Sequence, residues 1–237
     1  MTDHTVKAYD EELQFIGRKI AEMGGIAEQM LVDSMDALAR FDADLARRTV
    51  AADARLDLLQ REIEENAILT IARRQPMAVD LRQLMSAIHI ANDLERVGDM
   101  GKNIAKRSLK IADDPRAPRA IVGLKRMSEL VSHQLKDVLD AYARLDADRA
   151  DIVWKRDAEV DALEDVVFRD LLTFMMEDPR NISFCTHLLF CSKNIERIGD
   201  HATNIAETVH YLVTGQSLPV ERPKGGAGEN TMRSAAP

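Results

Sequence analysis

Two stretches of the chain are near copies of each other. Residues 92–105 read NDLERVGDMGKNIA, and residues 193–206, which lie 101 positions later, read KNIERIGDHATNIA. Apolar residues recur in both copies at spacings of three and four, which is typical of a helix with one buried face. A repeat at this distance indicates that the chain contains two copies of one structural unit.

The flanking sequence predicts three long helices in each copy. Apolar periodicity covers about residues 13–41, 45–74 and 77–110, and it restarts at 120–145, 147–177 and 181–213. Pro76 and Pro179 end the second and fifth runs, because proline cannot continue the helical hydrogen-bond ladder. We therefore predict an all-α protein of two tandem, pseudo-symmetric three-helix bundles with six long helices. The repeats are expected over residues 1–113 and 116–214, and a disordered tail over 215–237.

Composition and charge exclude several classes of protein. The 237 residues are 46% hydrophobic and only 4% aromatic, and the turn-forming residues that a β-sandwich needs are scarce before residue 215. The net charge of −8 and the lack of a basic stretch argue against a nucleic-acid partner. No secretory signal or membrane span is expected. Cys185 and Cys191 fit neither redox nor zinc-site spacing and are expected to be core residues of a protein in a reducing cytoplasm.

Acidic residues form the most distinctive pattern, because each repeat carries two pairs of carboxylates spaced four residues apart. Such spacing places both members of a pair on one face of a helix, where like charges repel. The pairs stand at repeat-related positions: Asp53 with Asp57, Glu95 with Asp99, Asp157 with Asp161, and Glu196 with Asp200.

In each repeat the two acidic pairs lie at nearly equal sequence distances before and after the proline. In an antiparallel helical hairpin that reverses at the proline, the pairs would therefore lie side by side. In the first repeat the paired carboxylates lie 19 and 23 residues before Pro76 and 19 and 23 residues after it. In the second repeat they lie 18 and 22 residues before Pro179 and 17 and 21 after it. The sequence therefore predicts two patches of four carboxylates each.

Four facing carboxylates need a compensating charge, which either basic neighbours or metal ions could supply. Arg96, Arg197, Lys102 and Lys106 could balance them in a salt-bridge net. Hard oxygen ligands without thiols otherwise select Mg²⁺, Ca²⁺, Mn²⁺ or iron. Gly98 and Gly199, which are unfavourable within a helix, would permit close approach of a neighbouring helix or of a bulky ligand.

The repeated motif resembles that of the PhoU family of accessory and regulatory proteins of bacterial phosphate transport. The resemblance rests on Leu94–Asp99 with Asn103–Ala105, on the second copy at 195–206, and on Arg74–Pro76 followed by Asp80–Arg82. It implies two three-helix bundles whose acidic motifs bind divalent or trivalent metal ions (Mg, Mn, Fe or Zn). By position, those ligands are Asp53, Asp57, Glu95, Asp99, Asp157, Asp161, Glu196 and Asp200.

The resemblance also implies a function, and two other classes of function stay open beside it. It implies a cytoplasmic, non-enzymatic negative regulator of the phosphate regulon and of phosphate uptake. Such a protein contacts the transporter's ATPase subunit and a sensor histidine kinase, forms a homodimer, and meets the membrane only through its partners. The alternatives are a metal-dependent phosphohydrolase that uses the same carboxylates to activate water, and a scaffold whose acidic pairs are only surface charge.

Overall fold

The computed structural model describes the backbone of residues 2–112 and 118–219, and the side chains of residues 9–112 and 121–219. These residues form seven α-helices and one 3₁₀ turn, and no strand occurs among them, which confirms the all-α prediction. The helices are α1 (Thr2–Arg40), α2 (Ala43–Arg74), α3 (Val79–Ile111), α4 (Pro118–Arg144), α5 (Ala147–Lys155), α6 (Asp157–Glu177) and α7 (Ile182–Thr214). The expected boundary between the repeats, around residues 113–116, lies outside the described residues. Of the disordered tail expected over 215–237, residues 220–237 also lie outside them, whereas residues 215–219 are described and Leu218 packs against the core.

The first turn of each repeat is built in the same way. Phe41 and Leu145 each adopt a positive φ, of 55° and 51°, which ends the preceding helix. The next residue then caps the following helix, because its carboxylate accepts hydrogen bonds from backbone N–H groups that lack a helical partner. Asp42 accepts from the amides of residues 44 and 45, and Asp146 accepts from that of residue 149.

The second turn of each repeat contains the proline that the sequence analysis identified. Gln75 ends α2 in the left-handed conformation at φ 48°, immediately before Pro76. In the second repeat Asp178 ends α6 in an extended conformation, and a 3₁₀ turn over Pro179–Asn181 leads into α7. Both prolines therefore reverse the chain between two long helices.

The predicted fifth long helix consists of two pieces, α5 and α6, with a break at Arg156. Arg156 has φ −90° and ψ 2°, so it leaves the regular helical ladder. Gln134, a fully buried residue of α4, donates a hydrogen bond of 3.0 Å from its side-chain amide to the Arg156 carbonyl oxygen. A side chain of a neighbouring helix thus satisfies a backbone carbonyl group at the break.

Three helices pack together in the first repeat and four in the second, and one apolar core extends through both repeats. Helices α1, α2 and α3 contact one another, and α4, α5 and α6 all contact α7. Contacts of α3 with α7 and of α1 with α4 join the repeats. Helices α3 and α7 run antiparallel, since His201 Nδ1 lies 2.9 Å from Asp93 Oδ1 while Arg107 Nη1 lies 3.2 Å from His187 Nδ1.

Gly98 and Gly199 occupy equivalent positions in the two repeats, and close helix packing accounts for Gly98. A Cβ atom at Gly98 would lie 2.1 Å from Leu56 Cδ1, so α2 approaches α3 closely at this point. At Gly199 the nearest side-chain atoms, from Val160, would lie 3.4 Å away. Cys185 and Cys191 are buried in the core as free thiols, as predicted. Among the described helices, none has both the length and the apolar character to cross a membrane.

Candidate functional site

The first acidic patch lies between α2 and α3, where the hairpin at Pro76 brings the two carboxylate pairs together. Asp53 is buried, and Asp57 is half-buried one helical turn further along α2. Glu95 and Asp99 project from α3 with side chains 19% and 26% exposed. Asp53, Asp57 and Asp99 lie close enough to Glu95 for their charges to raise its pKa. We call these four residues the first patch.

A lysine of α3 lies within the first patch. Lys102 Nζ donates hydrogen bonds of 2.6 Å to Asp53 Oδ2 and of 2.6 Å to Asp99 Oδ1. Burial by itself would lower the pKa of Lys102, but the hydrogen bonds to the two aspartates outweigh it and raise the pKa above its ordinary value. The ammonium group therefore stays charged and neutralises part of the patch. Arg96 adds longer contacts, at 3.5 Å to Glu95 and 3.7 Å to Asp99.

Glu95 is a carboxylate of the first patch whose pKa is raised. Burial raises the pKa of Glu95, and the charges of Asp99, Asp57 and Asp53 raise it further, while Arg96 opposes them. A raised carboxylate pKa means that the folded chain disfavours the ionised form. The fold therefore opposes the ionised form of Glu95, mainly through burial and further through its acidic neighbours.

The second patch, formed by Asp157, Asp161, Glu196 and Asp200, lies between α6 and α7. Here Thr203 occupies the position that corresponds to Lys102, 101 residues later. Its hydroxyl donates a hydrogen bond of 3.0 Å to Asp157 Oδ1. A neutral hydroxyl thus stands where the first patch has an ammonium group.

The counter-charge of the second patch comes from a different residue, Lys193. Its Nζ donates a hydrogen bond of 2.6 Å to Glu196 Oε1, which raises the pKa of Lys193. The other oxygen, Glu196 Oε2, is buried and has no hydrogen-bond partner among the described residues. A buried carboxylate oxygen without a partner is costly, and a cation would satisfy it.

The second patch also contains a carboxylate that the sequence analysis missed. Burial raises the pKa of Glu164, and the neighbouring charges of Glu196 and Asp161 raise it further against the effect of Lys193. Burial likewise raises the pKa of Asp161, with Asp157 and Glu196 adding to the shift. Glu164 lies one helical turn after Asp161, so the i, i+3 rule could have identified it. Lys193, three residues before Glu196, could have been identified in the same way.

The fit of the two patches to a metal ion differs. The ligand chemistry is suitable in both, because hard divalent and trivalent ions prefer carboxylate oxygens. In the described parts of the chain, however, no three acidic, histidine or cysteine side chains are gathered closely enough to hold an ion. Lys102 bridges the first patch, whereas in the second patch Glu196 Oε2 lacks a partner. The second patch therefore fits a cation better as it stands.

Two of the four basic residues considered as counter-charges lie elsewhere. Lys102 and Arg96 contact the first patch, as expected. Lys106 and Arg197 form no ion pair with a described carboxylate and instead line a groove between α3 and α7. His201 pairs with Asp93 across the two repeats.

Comparison with known proteins finds the same family in both repeats. The profile of the PhoU domain family matches residues 20–108 and again residues 124–209. A Rhizobium meliloti protein named phosphate-specific transport system accessory protein PhoU homolog is 55% identical over 221 residues, which is 93% of each chain. A protein of the same name from Caulobacter vibrioides is 54% identical, over 94% of this chain and 97% of its own.

Solved structures of similar proteins share the fold. The crystal structure of PhoU from Pseudomonas aeruginosa is 38% identical, covers 88% of this chain and all of its own, and superposes with a TM-score of 0.85. The phosphate transport system regulatory protein PhoU from Streptococcus pneumoniae is 26% identical over 90% of this chain, with a TM-score of 0.82. The similarity in sequence and in fold therefore extends across both repeats.

Proposed function

The chain belongs to the PhoU family, and from this premise we propose that it is a cytoplasmic negative regulator of the phosphate regulon and of high-affinity phosphate uptake. It acts as a metal-binding adaptor between the ATPase subunit of a phosphate transporter and a sensor histidine kinase. The observation that carries the proposal is the similarity, over 93% of the chain, to a relative named as a phosphate transport accessory protein.

Two exposed apolar tips support the adaptor role. Met77, at the turn between α2 and α3, is 81% exposed, and Met176, in the last turn of α6, is 84% exposed. Val79 and Ile182 extend these tips and are also exposed. Because α3 and α7 are antiparallel, the tips lie at opposite ends of the molecule. Exposed methionines are typical of adaptable contact surfaces, and two separated surfaces suit a protein that binds two partners.

The acidic patches support a structural role for metal. When bound, a metal ion would supply positive charge that ties the carboxylates of α6 to those of α7. Glu196 and Asp200 would hold it from α7, and Asp157 and Asp161 from α6. In the first patch Lys102 already provides one such link, so an ion there must displace its ammonium group or bind beside Glu95.

A deletion strain tests the regulatory part of the proposal. Loss of the gene should raise expression of a phosphate-regulon reporter in phosphate-rich medium, and the wild-type gene should restore repression. Repression that stays normal in the deletion strain would contradict the proposed role. The same strain serves for uptake, which should rise when the regulator is absent.

A pull-down from phosphate-replete cells tests the adaptor part. The tagged wild-type protein should recover both the transporter ATPase and the kinase. The M77S and M176S variants should each lose recovery of a partner, while L58S, which changes an exposed apolar residue of α2 away from the tips, should not. Recovery of neither partner by the wild type would contradict the adaptor role.

Elemental analysis tests the metal-binding part. The purified protein should contain metal in stoichiometric amount, and the D157N/D200N variant should lose it. The E64Q/E65Q variant removes two exposed acidic charges from α2 outside the patches and should retain the metal. Equal metal content in all three proteins would rule out the second patch as the metal site.

A further inference from the structure

A groove along the contact between α3 and α7 is lined by basic residues, although the chain as a whole is acidic. We call it the basic groove. The C-terminal half of α3 and the N-terminal half of α7 line a cavity of about 480 Å³. Five cationic side chains face it, although the chain has a net charge of −8: Lys106, Arg107, Lys110, Lys193 and Arg197. No carboxylate is among the described residues that line this basic groove.

Most of these cations have no anionic partner among the residues that the structure describes. Lys106, Lys110 and Arg197 are exposed, and no described carboxylate forms an ion pair with any of them. Arg107 lies with its guanidinium carbon 3.8 Å from the centre of the Phe190 ring, which holds it in place at the wall of the groove. Lys193 alone is paired, with Glu196. Concentrated positive charge without compensation raises the free energy of the folded chain unless an anion binds there.

The pseudo-symmetry of the molecule provides an internal comparison. A second cavity, of about 820 Å³, lies at the other end of the α3–α7 contact. Subtracting or adding the repeat distance of 101 residues relates the two linings position by position. In the second cavity Glu207 stands at the position of Lys106, Thr208 at that of Arg107, and Tyr211 at that of Lys110.

The second cavity therefore shows that packing of α3 against α7 does not require basic residues at these positions. Its acidic groups are used within the fold, since Glu207 accepts a hydrogen bond of 3.1 Å from Trp154 and Asp93 pairs with His201. Leu218 and Pro219, which follow α7, also line it. Equivalent positions thus serve internal contacts at one end and present free cations at the other.

We propose that the basic groove binds an oligophosphate, meaning a compact anion with two or more linked phosphate groups. Arginine presents a planar set of donors that matches phosphate oxygens, and lysine adds point charges around it. The side-chain amides of Asn103 and Asn194 line the same groove and can donate further hydrogen bonds. The volume is within the range of sites for small ligands.

The shape of the groove favours a small anion over a large one. The cations line a concavity between two helices, whereas a membrane surface or a nucleic-acid duplex is bound by basic residues spread along a wide face. The acidic remainder of the chain would repel such extended polyanions. The phosphate groups can belong to an inorganic chain or to a nucleoside. Phe190, which is 49% exposed, offers a ring face that a base could contact.

Isothermal titration calorimetry tests the proposal with inorganic tripolyphosphate, ADP and orthophosphate as probes. The full-length protein is kept in EDTA, so that no metal ion can carry phosphate to the acidic patches. Tripolyphosphate should bind, with an affinity that falls between about 50 mM and 200 mM salt. The K106Q/K110Q variant should weaken binding about tenfold or more, because two charge-assisted contacts are lost.

A charge-matched control separates a specific site from general attraction. The K125Q/R126Q variant removes two exposed cations of α4 that do not line the groove, and it should bind within about twofold of wild type. Circular dichroism of both variants should match the wild type. An equal loss of affinity in both variants would overturn the proposal.

The probes distinguish the source of the phosphate groups. Binding of ADP that exceeds tripolyphosphate binding, and that weakens in F190A more than tripolyphosphate binding does, would identify a nucleoside ligand. Equal or weaker binding of ADP would identify an inorganic chain, and either result supports the groove. Binding of none of the probes at about 1 mM, or binding only of an acidic peptide such as oligoglutamate, would overturn the proposal. Because metal is removed throughout, these outcomes do not depend on the metal-binding role proposed above.

Discussion

Lys102 and Thr203 occupy equivalent positions in the two repeats, and each contacts the first aspartate of the neighbouring acidic pair. Lys102 Nζ lies 2.6 Å from Asp53 Oδ2, and Thr203 Oγ1 lies 3.0 Å from Asp157 Oδ1. One contact supplies a full positive charge and the other supplies none. The two acidic patches are therefore alike in carboxylates and different in their internal compensation.

Exchanging these two residues should exchange the cation affinities of the patches. Lys102→Thr removes the ammonium group between Asp53 and Asp99, so the first patch should bind Mn²⁺ about tenfold more tightly. Thr203→Lys should weaken binding at the second patch by a similar factor. Calorimetric titration of metal-free protein with Mn²⁺ measures both, with exposed Lys125→Thr as the control. Unchanged titrations in both variants would mean that these residues do not govern cation binding.

Neutralising Glu95 should stabilise the metal-free protein near neutral pH. Glu95 binds its proton more tightly in the folded chain than in the unfolded chain, because burial and its acidic neighbours raise its pKa. Its contribution to the free energy of unfolding is therefore fully present below its ordinary pKa and is lost as the pH rises through the raised value. Glu95→Gln should gain about 0.5–1 kcal/mol at pH 7 and nothing near pH 4.

Urea unfolding of metal-free protein at the two pH values checks this expectation. Glu64→Gln, at an exposed position of the neighbouring helix α2, should change the free energy of unfolding by less than about 0.5 kcal/mol at both. A gain at pH 7 that persists unchanged at pH 4 would show that ionisation of Glu95 is not its cause.

The two repeat-related glycines should respond differently to alanine. At Gly98 the new methyl group would lie 2.1 Å from Leu56 Cδ1, so buried side chains of α2 must shift. Gly98→Ala should cost about 1–2 kcal/mol even after the gain in helix propensity. At Gly199 the nearest atoms lie 3.4 Å away, so Gly199→Ala should be neutral or stabilise by up to about 1 kcal/mol. Thermal unfolding of both variants measures the contrast, which equal effects would contradict.

Asp42 and Asp146, which cap the N-termini of α2 and α5, should each stabilise the fold. Asp42→Ala removes the acceptor of two backbone N–H groups, and Asp146→Ala removes the acceptor of one. Each change should lower the free energy of unfolding by about 1 kcal/mol, measured by urea unfolding. Asparagine at either position keeps an acceptor oxygen and should recover most of the loss. An asparagine variant as unstable as the alanine variant would assign the effect to charge instead.

The helices and their turns could be predicted because their signals are local. Apolar spacing identified each long helix, and Pro76 and Pro179 identified the reversals. Counting residues on both sides of each proline was enough to predict that the acidic pairs lie side by side, because two straight antiparallel helices rise by the same distance per residue. The break at Arg156 gave no such signal, because Gln134, which contacts it, belongs to another helix.

Features that join the two repeats could not be predicted in this way. The basic groove combines Arg107 with Phe190, and the His201 contact uses Asp93, residues that lie 83 and 108 positions apart in the chain. Their meeting depends on the register of α3 against α7, which no local pattern specifies. The sequence analysis accordingly considered Lys106 and Arg197 as possible counter-charges of the acidic patches, whereas both line the groove.

Lys193 contributes to both the second patch and the basic groove, because its ammonium group pairs with Glu196 while its side chain lines the groove. A ligand that draws this lysine toward the groove removes a positive charge from the carboxylates of α6 and α7. Those carboxylates then hold a cation more strongly. By thermodynamic reciprocity, a cation that releases Lys193 from Glu196 favours the anion by the same factor. One shared side chain is thus sufficient to make occupancy of opposite-signed sites cooperative, without any movement of the backbone.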